Sequence, residues 1–109
     1  MRELDPATAA IILTNASLNL IRRGADGSLV LSMDHWRFES LTADAITLVP
    51  EPPAPPETAP VVFLLNDIES ITWDRLAKQQ TRSQVRFRLT NGDLHTFSGR
   101  LPDPPDTQP

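Results

Sequence analysis

Few side chains in this chain of 109 residues could carry acid–base or covalent chemistry. It has two histidines, no cysteine and no tyrosine. His35 follows Asp34, and His95 stands two residues after Asp93. Two His and two Asp could hold a metal ion, or form a base steered by a carboxylate. The spacing argues against both readings. There is no His-Glu-x-x-His or His-x-His pattern, and Asp93 falls beside a turn where its carboxylate would be solvated. No Gly-x-Ser-x-Gly elbow, glycine-rich phosphate loop or dinucleotide fingerprint is written in the chain, and four glycines give little scope for cradling a nucleotide by backbone amides. Asp67 and Glu69 share a strand face at a spacing common on solvated edges. Without cysteine, disulfides, thiolate metal sites and thiol nucleophiles are excluded. The expectation is a protein that is not an enzyme and carries no cofactor or metal.

Cationic chemistry is the better-supplied kind. The formal net charge is −4, but residues 74–100 carry six basic and two acidic side chains, a local +4 in an otherwise acidic chain. Arg86 and Arg88 alternate with Val85, Phe87 and Leu89, so they stand together on the charged face of a half-buried strand. Arg82 and Gln84 continue that row if the strand reaches back to them. Asn91-Gly92 follows, the strongest short hairpin signal, because a type I′ turn needs φ > 0 at both central residues. A two-residue turn pairs Leu89 with Leu94 and Phe87 with Thr96, and sets His95 and Phe97 on the arginine face. A three-residue turn, Asn91 to Asp93, would instead pair Phe87 with Phe97 and Leu89 with His95; a slip of one residue exchanges the faces of the returning strand. The two-residue turn is the favoured reading. Together with Trp73, a large aromatic of core or interface type, these residues make the candidate binding face: Arg82, Arg86, Arg88, His95, Phe97 and Trp73. Arginines on a flat sheet could hold phosphates of nucleic acid or of acidic lipid. The favoured reading is that they pair with acidic residues of this chain, Asp67 and Glu69 on a neighbouring strand being the obvious partners. Six aromatics in all argue against a stacking platform for single strands.

These residues must be positioned by short apolar segments. Asp5-Pro6 reads as a helix cap with proline at the first helical position, opening a short helix over Ala7–Leu13; Ile11-Ile12-Leu13 as strand is the competing reading. Leu18 and Leu20, then Leu29, Leu31 and Met33, alternate around Gly24-Ala25-Asp26-Gly27, a hairpin with a four-residue loop. Trp36, Phe38 and Leu41 pair with Ile46 and Leu48 across a turn at Thr42-Ala43-Asp44. Residues 50–60 hold six of the eleven prolines and should run as an extended, stiff surface loop. Val61–Leu65 is continuously apolar, as a fully buried strand would be. A bend at Asn66-Asp67 leads to Ile68, Ile71 and Trp73, and residues 74–83 read as a basic loop with room for one helical turn at Leu76–Gln79. One domain over residues 1–101 follows, mainly β, an antiparallel small barrel or roll of six to seven strands with at most a short N-terminal helix. Residues 102–109, proline-rich, should be disordered. No apolar run approaches the ~20 residues of a membrane helix, and the expected location is cytoplasmic.

Three segments resemble bacterial pleckstrin-homology-like and GRAM-type domains. ILTNASLNL (12–20) is similar to their opening, an apolar strand followed by Thr-Asn and another strand. LLNDIESITW (64–73) resembles the segment where a strand leads into an Ile-x-x-Ile pair, here Ile68 and Ile71, and VRFRLTNGDLHTF (85–97) their terminal hairpin. Such domains close their barrel with a C-terminal helix, whereas this chain is proline-rich after Gly99. The cap would be absent, or supplied by the N-terminal segment or a second subunit. What the resemblance implies is a binding scaffold without chemistry. The functional expectation is therefore a non-catalytic protein-interaction module with an unidentified protein partner, self-associating as a homo-oligomer, with anion binding to nucleic acid or acidic lipid as the alternative.

Overall fold

In the computed structural model, which describes residues 2–51, 58–76 and 81–104, a well-capped helix lies near the start of the chain. Asp5, extended at φ −84° and ψ 166°, accepts a hydrogen bond at Oδ1 from the Thr8 amide at 2.7 Å, and Pro6 sits where no amide donor is needed. The helix, α1, runs Pro6–Leu13 and buries Ala9, Ile12 and Leu13. It stops as Thr14 Oγ1 donates to the Ala10 carbonyl at 2.6 Å and Asn15 turns left-handed at φ 65°. Ile12-Leu13, which the family resemblance treats as strand, is thus the last turn of a helix.

Eight strands follow the same logic of alternation: β1 (Arg2–Glu3), β2 (Leu18–Arg23), β3 (Leu29–Leu41), β4 (Ala45–Pro50), β5 (Val61–Leu64), β6 (Ile68–Arg75), β7 (Ser83–Leu89) and β8 (Leu94–Gly99). A short 3₁₀ turn, Leu65–Asp67, makes the expected bend between β5 and β6. All eight join one antiparallel curled sheet in the order β1-β6-β7-β8-β2-β3-β4-β5. The mainly-β roll with one short helix is therefore observed; the two-residue β1 is the strand that alternation could not reveal.

The concave side is built in rows. Ile71, Phe87, His95, Arg22 and Leu31 lie across β6, β7, β8, β2 and β3; Trp73, Val85, Phe97, Leu20 and Met33 form the next row. The sheet curls until Phe63 of β5 stacks on Phe87 of β7, centroids 4.7 Å apart and planes 7° from parallel, although the two strands do not pair. Phe97 meets both rings edge-on at 5.8 and 6.1 Å. α1 packs Ile12 and Leu13 into this same core. Leu101 is buried with it, Pro104 is buried, and Asp103 pairs with Arg75. The tail expected to be disordered from residue 102 is thus held as far as Pro104; residues 105–109 lie outside the described residues.

The final hairpin takes neither expected register. Phe87 faces His95 and Val85 faces Phe97. Leu89 and Asp93 close the loop, with Leu89 N donating to Asp93 O and Gly92 N to Leu89 O, both at 2.9 Å. Only Gly92 is left-handed (φ 94°); Asn91 is not, and its Oδ1 instead accepts from the Asp93 amide at 2.9 Å. A type I′ turn is therefore excluded, and the loop is the three residues Thr90-Asn91-Gly92. The favoured two-residue turn would have left Phe97 outside, forgoing roughly 2–3 kcal/mol of apolar burial. The β2–β3 hairpin repeats the design, with Gly24 and Ser28 closing Ala25-Asp26-Gly27, Gly27 at φ 83° and Asp26 Oδ1 accepting from the Ser28 amide.

Three more expectations change. Leu29, Leu31 and Met33 do not form a buried face: Leu29 and Leu31 are exposed, since β3 outruns its neighbour β4 at that end. The segments at 29–33 and 36–41 are one strand, interrupted at His35 (φ 67°), where the inward positions switch from odd to even. Val61–Leu64 is an edge strand with Val62 and Leu64 more than half exposed, because its outer face meets no second layer. Of the proline-rich loop, Pro50 ends β4, and residues 52–57 lie outside the described residues.

Close approach of backbones fixes one glycine. A Cβ at Gly99 would lie 2.6 Å from the Ser17 carbonyl oxygen, a main-chain atom that cannot rotate away. Gly99→Ala is expected to destabilise by about 1–3 kcal/mol, as overpacking does, read as a lower urea midpoint at unchanged slope.

Candidate functional site

The sheet's two faces divide the six residues of the candidate binding face. Arg86 and Arg88 stand on the convex side, level with Thr72 and Thr96 and with Ser70 and Leu94. His95, Phe97 and Trp73 belong to the concave rows, so they cannot share a surface with the arginines. This is a correction that follows directly from the hairpin register. Arg82 precedes β7 and leaves the row; it lines a pocket with Asn15, Ser17, Asn19, Asp34, His35 and Arg100.

The cross-strand ion pairs expected of the convex arginines do not form, and Glu3, Ser70, Thr72 and Leu94 line a pocket with them. Among the described residues, neither Asp67 nor Glu69 forms an ion pair with Arg86 or Arg88. The Gln84 amide, with its oxygen turned toward Arg86, accepts from Nη2 at 2.7 Å and Nε at 3.1 Å. The carboxylates used are elsewhere. Asp93 accepts from Arg22 Nη2 at 2.9 Å and is mostly buried, so it is not the solvated turn residue expected. Asp103 pairs with Arg75, whose guanidinium also lies over the Trp73 ring at 5.7 Å.

The two histidines end up in different surroundings. His35 lines the polar pocket beside Asp34. It and Asn15 are the non-glycine residues at positive φ among the described residues, and both border that one pocket of about 350 Å³. His95 is 4% exposed, edge-on to Phe63 at 4.8 Å. Burial pushes its pKa down to about 4, the Arg22 charge adds to the shift, and Asp93 opposes it. His95 is a neutral core side chain at pH 7.

The sheet's edge is the feature that alternation did not disclose. β4 pairs with β3 only from Trp36 to Leu41. Leu29–Asp34 therefore has β2 on one side and, among the described residues, no strand on the other, while the His35 carbonyl accepts from the Glu51 amide at 2.7 Å. Leu29 and Val30 are 57% and 55% exposed, and no charged residue falls between Asp26 and Asp34. The signal that could have found this is the three-residue step from Met33 to Trp36, which breaks the period of two and marks the kink.

Among the described residues no helix is long and apolar enough to cross a membrane. Compared with protein-family models, with curated proteins and with solved structures, the chain matches none.

Proposed function

We propose that this chain is a non-catalytic interaction module that associates with a second copy of itself, strand to strand, along the free half of β3. One observation carries the reading: a long strand presents five consecutive uncharged residues, Leu29–Met33, on an edge that no other strand pairs with among the described residues, and the first four are exposed. Natural sheets usually blunt such edges with lysine, proline or a covering loop. Antiparallel pairing about a two-fold axis through Leu31 sets Leu29 against Met33, Val30 against Ser32 and Ser28 against Asp34. No like charges face each other, and two-fold dimers are the commonest assemblies. A pleckstrin-homology-like scaffold agrees with this reading if α1, through Ala9, Ile12 and Leu13, takes the capping place of the C-terminal helix those domains carry. A cysteine-free chain suits the cytoplasm. Hydrogen exchange tests the edge: amides of Val30–Asp34 should exchange more slowly as protein concentration rises. Concentration-independent exchange there contradicts the proposal.

A second reading rests on Arg86 and Arg88, whose guanidinium groups have no carboxylate partner among the described residues. It makes the convex face an anion-binding surface for nucleic acid or acidic lipid. Reversal of both to Glu should then abolish retention on heparin or anionic vesicles, and wild-type retention should fall steeply with salt. No retention of the wild type at low salt removes this reading.

A further inference from the structure

We infer that the end of the sheet where the chain enters β7 and leaves β8 holds a binding site for a sugar acid, a small molecule with one carboxylate and several hydroxyl groups. The site is the polar cavity of about 350 Å³ that Arg82 and Arg100 line together, a volume at the lower end of ligand pockets. The hairpin brings its two cations together. Ser83 pairs with Gly99, so Arg82 and Arg100 stand one step beyond that pair, across from each other where the ladder ends. The Arg82 carbonyl accepts from the Leu76 amide at 3.0 Å, which fixes the chain at that step.

Like charges at facing positions of an antiparallel pair repel. Among the described residues neither guanidinium forms an ion pair or a hydrogen bond. An anion gripped by both forks removes the repulsion and supplies the missing acceptors. Arg100 is exposed and Arg82 half-buried, so a ligand in the cavity reaches both from solvent. The backbone is shaped around the same cavity. Asn15 (φ 65°) and His35 (φ 67°) border it, and residues held in this sparsely populated region cluster at ligand sites.

Charge and lining select the ligand. Two guanidinium groups stand against one carboxylate, Asp34, a surplus of +1 with His35 neutral. One carboxylate balances it. A phosphate dianion exceeds it, and Glu51, which accepts from Ser17 at 3.4 Å without lining the cavity, weighs further against a second negative charge. Asn15 and Asn19 each carry donors and an acceptor, as a row of hydroxyl groups requires. Ala16 alone in the lining is apolar, so a hydrocarbon body gains little burial there. Arg86, Arg88 and Leu29–Met33 do not line this cavity, so the inference rests on neither reading above. Asp34 lies at the end of the proposed seam, but that seam engages main-chain groups, and both arginines lie outside it.

The test is a titration of the ¹⁵N-labelled chain with sodium galacturonate at constant ionic strength, followed by the backbone amides of Ser17, Asn19, Arg82 and Arg100. Saturable shifts at these amides are expected, and galactose and galactose 6-phosphate should bind less well. Arg100→Gln should weaken galacturonate binding by about tenfold or more, the value of a hydrogen bond to a charged group, and Arg82→Gln should do the same. The Leu29→Lys/Val30→Lys and Arg86→Glu/Arg88→Glu proteins, folded by their far-UV spectra, should bind as the wild type does, which keeps this test separate from the two readings above. No saturable shift up to the solubility limit of the salt overturns the inference. So does unchanged affinity in the two arginine-to-glutamine variants, binding of galactose or galactose 6-phosphate as tight as that of galacturonate, or loss of binding in either double variant.

Discussion

Phe87→Ala is expected to lower stability by about 3–5 kcal/mol, the range for removing a fully buried aromatic. Phe87 is wholly buried, stacks on Phe63 at 4.7 Å and receives the edge of Phe97 at 5.8 Å. It therefore joins β7 to β5 across the curl of the sheet, a connection that no backbone pairing makes. The consequence is specific to this geometry. Phe63→Ala should cost less alone, and the double variant should fall short of the sum, because each single change already destroys the stack. Urea denaturation of the three variants measures this. Additive losses would mean that the two rings contribute to separate packing units and that the curl does not depend on their contact.

Acid should weaken the fold through His95 once the pH falls below the ordinary histidine range. His95 has a native pKa of about 4, against an ordinary value near 6.5. Between those values the unfolded chain binds a proton that the native chain refuses, so stability rises with pH across this window and falls on acidification. The full loss from pH 7 to below pH 4 is on the order of 2–3 kcal/mol from this one group. Asp5 and Asp26 are held below the ordinary carboxylate range by side-chain and backbone hydrogen bonds, to Thr8 and Ser28. Their contributions disappear only in stronger acid, with the same sign. His95→Leu should flatten the profile between pH 7 and pH 5 and leave the more acidic limb in place. It also removes the unpartnered Nδ1, so stability at pH 7 should hold or rise. A variant that keeps the wild-type slope between pH 7 and pH 5 would assign the acid sensitivity to another group.

Much of the fold was legible because local chemistry and tertiary packing agree. Asp5-Pro6 reads as a helix start and is one, and the alternation of Val85, Phe87 and Leu89 marks a strand with a buried face. The candidate site was read less well, for a reason contained in one turn. Asn91-Gly92 suits a type I′ turn locally, yet the chain takes a three-residue loop so that Phe97 and His95 can join Phe87 inside. Burial of a whole aromatic outweighed the turn preference, and every residue of β8 changed face with it. That single step removed His95 and Phe97 from the arginine surface. Exposure of Leu29 and Leu31 was illegible for a different reason. Alternation tells which residues share a face, but whether another strand covers their edge depends on where β4 stops, which is at Pro50.

Light scattering on the eluting peak of a size-exclusion column, run over a range of loading concentrations, addresses the self-association most directly. The wild type should approach twice the chain mass of 12.1 kDa at high concentration. The Leu29→Lys/Val30→Lys variant should stay at the chain mass throughout with its far-UV spectrum unchanged, because lysines along the edge repel a second copy. A wild type that remains at 12.1 kDa at every concentration, or a double-lysine variant that dimerises as the wild type does, would contradict the account.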